Sequence, residues 1–429
     1  MVHHTMPTKM SSAPRASNSN KVMQTILGSG LVGAALLASL LLAGCAGPSH
    51  QPLPAPADQP APSMGEAPDT NGQADVEAAL RWAAAQPLPP PIQRPRAQWK
   101  PVPWSDLPGL QADVTTADWH GAWDAWIRSC SRTSTPSAAQ WAEVCRQVRP
   151  LSLASPASQL AWMVRNLQPY RVTAADGNMP QGLLTGYYEP ELSASRARTP
   201  RHTTPLYAPP AGLNNRQPWF SRQDIDSRAD VQALLTGREL VWLDNPIDAL
   251  IVQIQGSARV RVTEPDGSEK VVRLGFAGHN GHTYRSVGRW LLDRKAITDA
   301  SWAAIKVWAA QNPDQVSAML WSNPRTVFFR EEALSAQDAP AGPRGAQGVP
   351  LTPQRSVAVD PEAVPYGTPL WLNSTGPSRL IQRLVLAQDT GAAITGPARA
   401  DYFSGWGDNA LAIAQGLRQP LQMWTLWPR

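Results

Sequence analysis

Apolar residues recur with a helical period early in the chain and with a strand period later. In residues 116–128, Trp119, Trp123 and Trp126 fall at spacings of four and three, one face of a helix. A core-packing stripe is the plainer reading of those tryptophans. Ser137 is a candidate N-cap for a helix over 138–148, and 158–167 reads as another. Strand patterns then take over at 183–189, 240–243 and 250–255. The runs 258–263 and 270–276 flank Glu264-Pro-Asp-Gly267, which has the chemistry of a hairpin turn. Helices are predicted over 286–293 and 301–311. After a Pro/Ala/Gly-rich passage beyond Arg330 come short strands at 356–359, 369–372, 384–388 and 421–426, with one helix at 408–417. The chain therefore reads as mainly β with α segments, helical at its N-terminal side.

The first hundred residues read differently. Lys9, Arg15 and Lys21 precede an apolar, small-residue run from Val22 to Ala43 that ends in Leu42-Ala43-Gly44-Cys45. A basic start, an apolar stretch and small residues before a cleavage point mark a secretory signal. The run is long enough that a membrane-spanning helix is its rival. The closing Leu-Ala-Gly-Cys resembles a bacterial lipobox, which implies lipidation at Cys45 and, with Ala46 next, sorting to the outer membrane. Gly28-Ser-Gly30-Leu-Val-Gly33 formally matches a dinucleotide fingerprint, but it lacks a preceding strand and lies in this segment, so it is rejected. Residues 46–71 are dominated by Pro, Ala, Gly, Gln and Ser, and a second Pro-rich passage covers 87–103. Together they read as a tether that cannot bury enough surface to order itself.

Charge and cysteines narrow the classes. Removing the three basic residues of the signal from 38 leaves 35 against 33 acidic, a nearly balanced chain. With no basic run interleaved with aromatics, nucleic acid is not an expected partner. Cys130 and Cys145 form an even pair once Cys45 is set aside, and an oxidising compartment favours a disulfide between them. Two reduced, buried cysteines are the alternative. His279 and His282 form only a weak His-x-x-His, and the chain has no zincin motif, serine elbow or phosphate-cradling loop. Neither a metal nor a cofactor is expected. Carboxylates remain as the catalytic groups, and glycosidic bonds are what carboxylates alone can break.

The acids that stand out lie in Ala387-Gln-Asp-Thr-Gly-Ala-Ala-Ile-Thr-Gly-Pro-Ala-Arg-Ala-Asp401-Tyr-Phe. A strand delivers Asp389 into a Gly-rich bend, and Asp401 follows before an aromatic pair, which places it on a braced loop. By themselves such residues read equally as turn and cap aspartates.

This stretch does not stand alone. Leu184-Thr-Gly-Tyr-Tyr-Glu-Pro190, Asp248-Ala-Leu-Ile-Val-Gln-Ile-Gln-Gly-Ser257, Gly275-Phe-Ala-Gly-His-Asn-Gly-His-Thr-Tyr284, Asn323-Pro-Arg-Thr-Val-Phe-Phe-Arg330 and Ser356-Val-Ala-Val-Asp360 occur in order. From about Thr116 onward the chain resembles the membrane-bound lytic murein transglycosylase A family, and the aspartate stretch resembles its 3D signature. The resemblance implies a double-psi β-barrel domain from residues 104–195 and 324–429, with a smaller β-domain, 196–323, inserted and a groove between them. Residues 1–44 would be signal and 45–103 tether. It implies a peptidoglycan lytic exotransglycosylase lipid-anchored at the periplasmic face of the outer membrane, acting on glycan strands and open to cell-envelope protein partners.

Asp401 maps onto the family's sole acid/base group, with Asp389 in support. Tyr187, Tyr188, Glu189, Gln255, Gly256, Ser257, Tyr284 and Trp406 are expected to bind substrate; Gln255-Gly256-Ser257 is read as a strand end, and Glu189 is the rival proton donor. Ala392 and Thr395 depart from the usual Gly and Lys of the signature, so a charge that tunes the acids is in doubt.

Overall fold

The computed structural model describes residues 70–132, 138–215, 217–336, 338–377 and 379–429. The signal, Cys45 and the first part of the tether lie outside the described residues, as does Ser137.

In chain order the strands are β1 (Ile92–Gln93), β2 (Gln98–Pro101), β3 (Leu167–Thr173), β4 (Leu183–Glu189), β5 (Glu191–Ser195), β6 (Thr204–Tyr207), β7 (Glu239–Leu243) and β8 (Ser257–Thr263). They continue with β9 (Glu269–His279), β10 (Val327–Ala333), β11 (Ser356–Val359), β12 (Pro369–Thr375), β13 (Leu380–Asp389), β14 (Arg399–Trp406), β15 (Arg418–Pro420) and β16 (Gln422–Pro428). Two sheets result. The larger has the order β1-β2-β3-β16-β12-β13-β11-β14-β4-β15, and the smaller β10-β9-β8-β5-β7-β6.

The larger sheet curls back on itself. The Gln419 amide on β15 donates to the carbonyl and hydroxyl of Ser374 on β12, and the Ser374 hydroxyl donates to Pro420 O. Six strands, β12-β13-β11-β14-β4-β15, thus come round into a nearly closed barrel. Closure removes exposed edges, and Val357, Leu372, Leu384, Leu386 and Ala400 on its strands are all buried. This bears out the expected fold class, a barrel with a smaller β-sheet beside it.

The tryptophan stripe is core. Trp119, Trp123 and Trp126 lie buried on the helix Trp119–Ser129. The Trp119 indole N–H donates to Gln159 Oε1 and that of Trp123 to Val148 O, which satisfies polar atoms that burial would otherwise leave bare. Cys130 and Cys145 are bridged, tying this helix to the next, Ala138–Val148.

Three expectations are corrected. Residues 250–255 belong to a helix, Pro246–Gln255, not a strand. Asn245 caps it by accepting from Ile247 N, Pro246 occupies the first turn, and Gly256 ends it in the left-handed region at φ 84°. Ile247, Leu250, Ile251 and Val252 are buried, and the short run 250–255, with Gln253 and Gln255 alternating, does not by its period separate helix from strand.

The tether is also shorter than read. Thr70–Ala84 is a helix whose Val76 and Ala79 are buried, and Trp99 on β2 is fully enclosed, donating to Ala363 O. The helix is free of proline and lies between the two Pro-rich passages that set the reading. Finally, β5 and β10 pair within the smaller sheet, which therefore extends from Glu191 to Ala333, beyond 196–323 on both sides. Strand partners far apart in the chain fix that boundary, not local pattern.

Candidate active site

Strand β11 carries the site. Ala358 pairs on one side with Asp389, the last residue of β13, and on the other with Asp401 on β14. Asp401 pairs in turn with Thr185 on β4, and Thr185 with Arg418 on β15. One row thus crosses five strands, and residues in register on neighbouring strands share a face. At about 4.8 Å per strand, the two aspartate Cα atoms stand roughly 10 Å apart. Ala358 stands between them in the row.

Asp401 therefore sits in a strand rather than on a loop. The bend is the connecting segment 390–398, where Gly396 adopts φ 100°, open to glycine. Its N–H donates to buried Asp360, and the Thr390 hydroxyl donates to Val359 O. Both bonds brace the bend against the end of β11.

The two acids differ in their partners. Both oxygens of Asp389 are occupied: Oδ2 accepts from the Tyr187 hydroxyl at 2.8 Å and Oδ1 from Ala346 N at 2.9 Å. Among the described residues, Asp401 accepts through Oδ1 only, from the Thr185 hydroxyl at 2.5 Å. Arg399 Nη2 in turn donates to that hydroxyl at 2.9 Å.

Burial raises the Asp401 carboxyl above the ordinary carboxylate range; the Thr185 hydrogen bond and the Arg399 charge oppose the rise, and Asp389 adds to it. Burial likewise raises Asp389, against the bonds from Tyr187 and Ala346. The Tyr187 phenol is pushed well above its usual value, by burial first and then by the Asp389 charge. A desolvated acid with one free oxygen can hold a proton and transfer it.

The other expected residues scatter. Tyr187 reaches across the row to Asp389 and its ring lies tilted 5.3 Å from Phe403, so its hydroxyl is committed within the protein. Tyr188 is core, packed with Ile247, Leu250 and Met319. Glu189 is wholly buried between Arg259, 2.8 Å away, and Arg273, 2.7 Å away, so its carboxylate cannot meet substrate or donate a proton. Gln255 ends a helix, its Oε1 accepting from Tyr188 N; Gly256 is the cap and Ser257 is buried at the start of β8. Trp406, at the end of β14, has the Arg259 guanidinium 3.7 Å from its ring centroid. Tyr284 is half-buried outside the acid row.

Thr185 and Arg399, which complete the site, were missed. Both stand inside quoted motifs, but only the β4–β14 pairing brings them together. Among the described residues no three His, Cys, Asp or Glu side chains gather as a metal site. The His279 Nδ1 accepts from Gly281 N, and His282 Nε2 lies 2.9 Å from Trp219 O. A cleft of about 540 Å³ bordered by Arg171, Gly182, Asn373 and Met423 contains neither acid.

The MltA specific insert domain matches residues 183–330 and the 3D domain residues 355–427. The membrane-bound lytic murein transglycosylase A of Escherichia coli K12 is 32% identical over 278 residues, 62% of this chain and 68% of that protein. The chain belongs to the membrane-bound lytic murein transglycosylase A family. Among solved structures, the lytic transglycosylase LtgG of Burkholderia pseudomallei is similar at 40% identity and a TM-score of 0.53, covering 80% of this chain and 98% of that one. MltA from Neisseria gonorrhoeae gives 27% identity and a TM-score of 0.63, over 80% and 96%. In this member of the lytic murein transglycosylase A family, both matched segments meet at the β4–β14 pairing, the first supplying Thr185 and the second Asp401.

Proposed function

We propose that this chain is a peptidoglycan lytic transglycosylase in which Asp401 is the one acid/base group. It cleaves the β-1,4 bond between N-acetylmuramic acid and N-acetylglucosamine. Protonated Asp401 gives its proton to the glycosidic oxygen as the C1–O bond breaks, and the bonding electrons leave with that oxygen. The muramoyl C6 hydroxyl attacks C1 of its own ring and passes its proton to the Asp401 carboxylate. A 1,6-anhydro sugar forms and the acid is restored without water. Intramolecular attack benefits from proximity, with effective molarities of about 10⁵ M or more.

The observation that carries this reading is the unequal occupancy of the two acids. A hydrolase needs a second carboxylate as nucleophile or base. Asp389 has both oxygens taken by donors, which leaves Asp401 Oδ2 as the free carboxylate oxygen of the row. Asp389 supports Asp401 through its charge. Trp406 is the remaining candidate for stacking on a sugar face.

Lipidation at Cys45, and through it attachment at the periplasmic face of the outer membrane, belongs to the same proposal. So does a glycan groove between the barrel and the smaller sheet.

The test is incubation of purified protein with sacculi and mass spectrometry of the products. Anhydro-muropeptides are expected, and their loss by at least 100-fold in Asp401→Asn. Reducing-end products would instead indicate a hydrolase, and an absence of products a binding protein.

A further inference from the structure

We infer that Thr185, held by Arg399, is a positioning residue that puts the transferable proton of Asp401 on Oδ2. The inference rests on the proposed role of Asp401 and deepens it.

The logic is one of hydrogen counts. A guanidinium carries only donors, so the contact from Arg399 Nη2 must fall on a lone pair of Thr185 Oγ1. The hydroxyl has one hydrogen. Among the described residues its acceptor is Asp401 Oδ1, at 2.5 Å, a distance typical of a hydroxyl donating to a charged carboxylate oxygen. Were Oδ1 protonated, it would have to donate to Thr185, and the threonine hydrogen would lose this acceptor. The proton of neutral Asp401 therefore belongs on Oδ2.

Arg399 is itself fixed. Its Nη1 donates to Ala400 O at 2.6 Å and lies 3.4 Å from Leu183 O, the backbone of the two strands it bridges. The threonine thus has its lone pair claimed from one side and its hydrogen aimed at the other. The same contact takes Oδ1 out of the reaction, so a single oxygen both gives the proton and receives it back. A Lys expected at position 395 is Thr in this chain; the positive charge beside the acid comes from Arg399 instead.

Substitution at Thr185 separates orientation from charge. The charged and titratable groups around Asp401 are Arg399 on its own strand, Asp389 on β13, Tyr187 on β4 and Arg418 on β15. All remain in Thr185→Val, which replaces the hydroxyl by a methyl group of similar size. Kinetics of anhydro-product release from soluble glycan strands, measured across pH with the full chain, give the readout.

In Thr185→Val, kcat is expected to fall on the order of 10–100-fold, with KM within threefold. The donated hydrogen bond favours the charged form, so its loss raises the Asp401 pKa. Activity needs the protonated acid, and the alkaline limb of the kcat profile therefore moves to higher pH even as the plateau drops. Thr185→Ser restores the plateau to within about threefold of the native protein, by returning the donor. Adding Arg399→Met to Thr185→Val costs less than the same change in the native protein, because the arginine acts through the hydroxyl.

Unchanged kcat in Thr185→Val, an unmoved limb, or a Thr185→Ser protein no better than the valine variant overturns the inference. Should the valine variant not fold, Thr185→Ala removes the hydroxyl without adding bulk and is read the same way. Asp401→Asn is the separate control. If it stays active, the reading of Asp401 fails; if it is inactive while Thr185→Val is unaltered, only the assignment to Thr185 fails.

Discussion

At the scale of single residues, the site holds an acid where water is scarce. The same burial that raises the Asp401 carboxyl costs folding energy once it ionises. Its pKa is raised in the folded state, so the folded chain binds the proton more tightly than the unfolded one. The stabilisation is complete below the unfolded value, about 3.9, and is lost as pH rises through the raised folded value. Asp401→Asn, which can still accept from Thr185, should therefore melt higher than the native protein at neutral pH, by about 2 °C. The difference should shrink toward zero as pH falls to about 4. Differential scanning calorimetry at both pH values measures it, and a variant that melts lower at neutral pH contradicts a raised Asp401. Asp389 is raised by the same cause, against the hydrogen bonds from Tyr187 and Ala346.

At the scale of elements, local pattern was a good guide wherever one face was wet. The strand 183–189, the helix 138–148 and the hairpin around Gly267 were read where they occur. Pattern failed for Pro246–Gln255, where the apolar run 249–252 followed by alternating Gln253 and Gln255 fits a strand as readily as a helix. It failed again at Asp401, because a Gly/Pro-rich run precedes it and β14 declares itself only by pairing with β4 and β11. The Cys130–Cys145 bridge staples two helices at the N-terminal side of the barrel. Closing a loop of this length contributes about 3 kcal/mol in the chain-entropy model. Replacing both cysteines by serine should lower the denaturation free energy by roughly that amount, read from full urea unfolding curves with midpoint and slope fitted together.

At the scale of the whole molecule, a buried ion cluster links the barrel to the smaller sheet. Glu189 at the end of β4 accepts from Arg259 on β8 and Arg273 on β9, and both arginines also donate to Ala341 O. Arg259 then covers a face of Trp406 on β14. The residue read as a rival catalyst is thus a joint between the sheets. Removing one member of such a set strands the others: Glu189→Ala leaves two buried guanidinium groups without their counter-ion. It should cost about 3–5 kcal/mol. Chemical denaturation tests this directly, and a loss below about 1 kcal/mol would mean that water or Ala341 O already suffices for the arginines.

Sequence alone determined the acids, most strand and helix periods, the turn glycines and the cysteine pair, because these depend on residues within a few positions of one another. Backbone geometry sets those periods locally. Tertiary structure alone decided that Thr185 meets Asp401 across 216 positions, that both Asp389 oxygens accept while among the described residues only one of Asp401's does, and that Glu189 is locked between arginines. Hydrogen-bond partners of a buried group are chosen by which strands lie side by side, and the order β11-β14-β4 is settled by closure of the barrel rather than by any local signal.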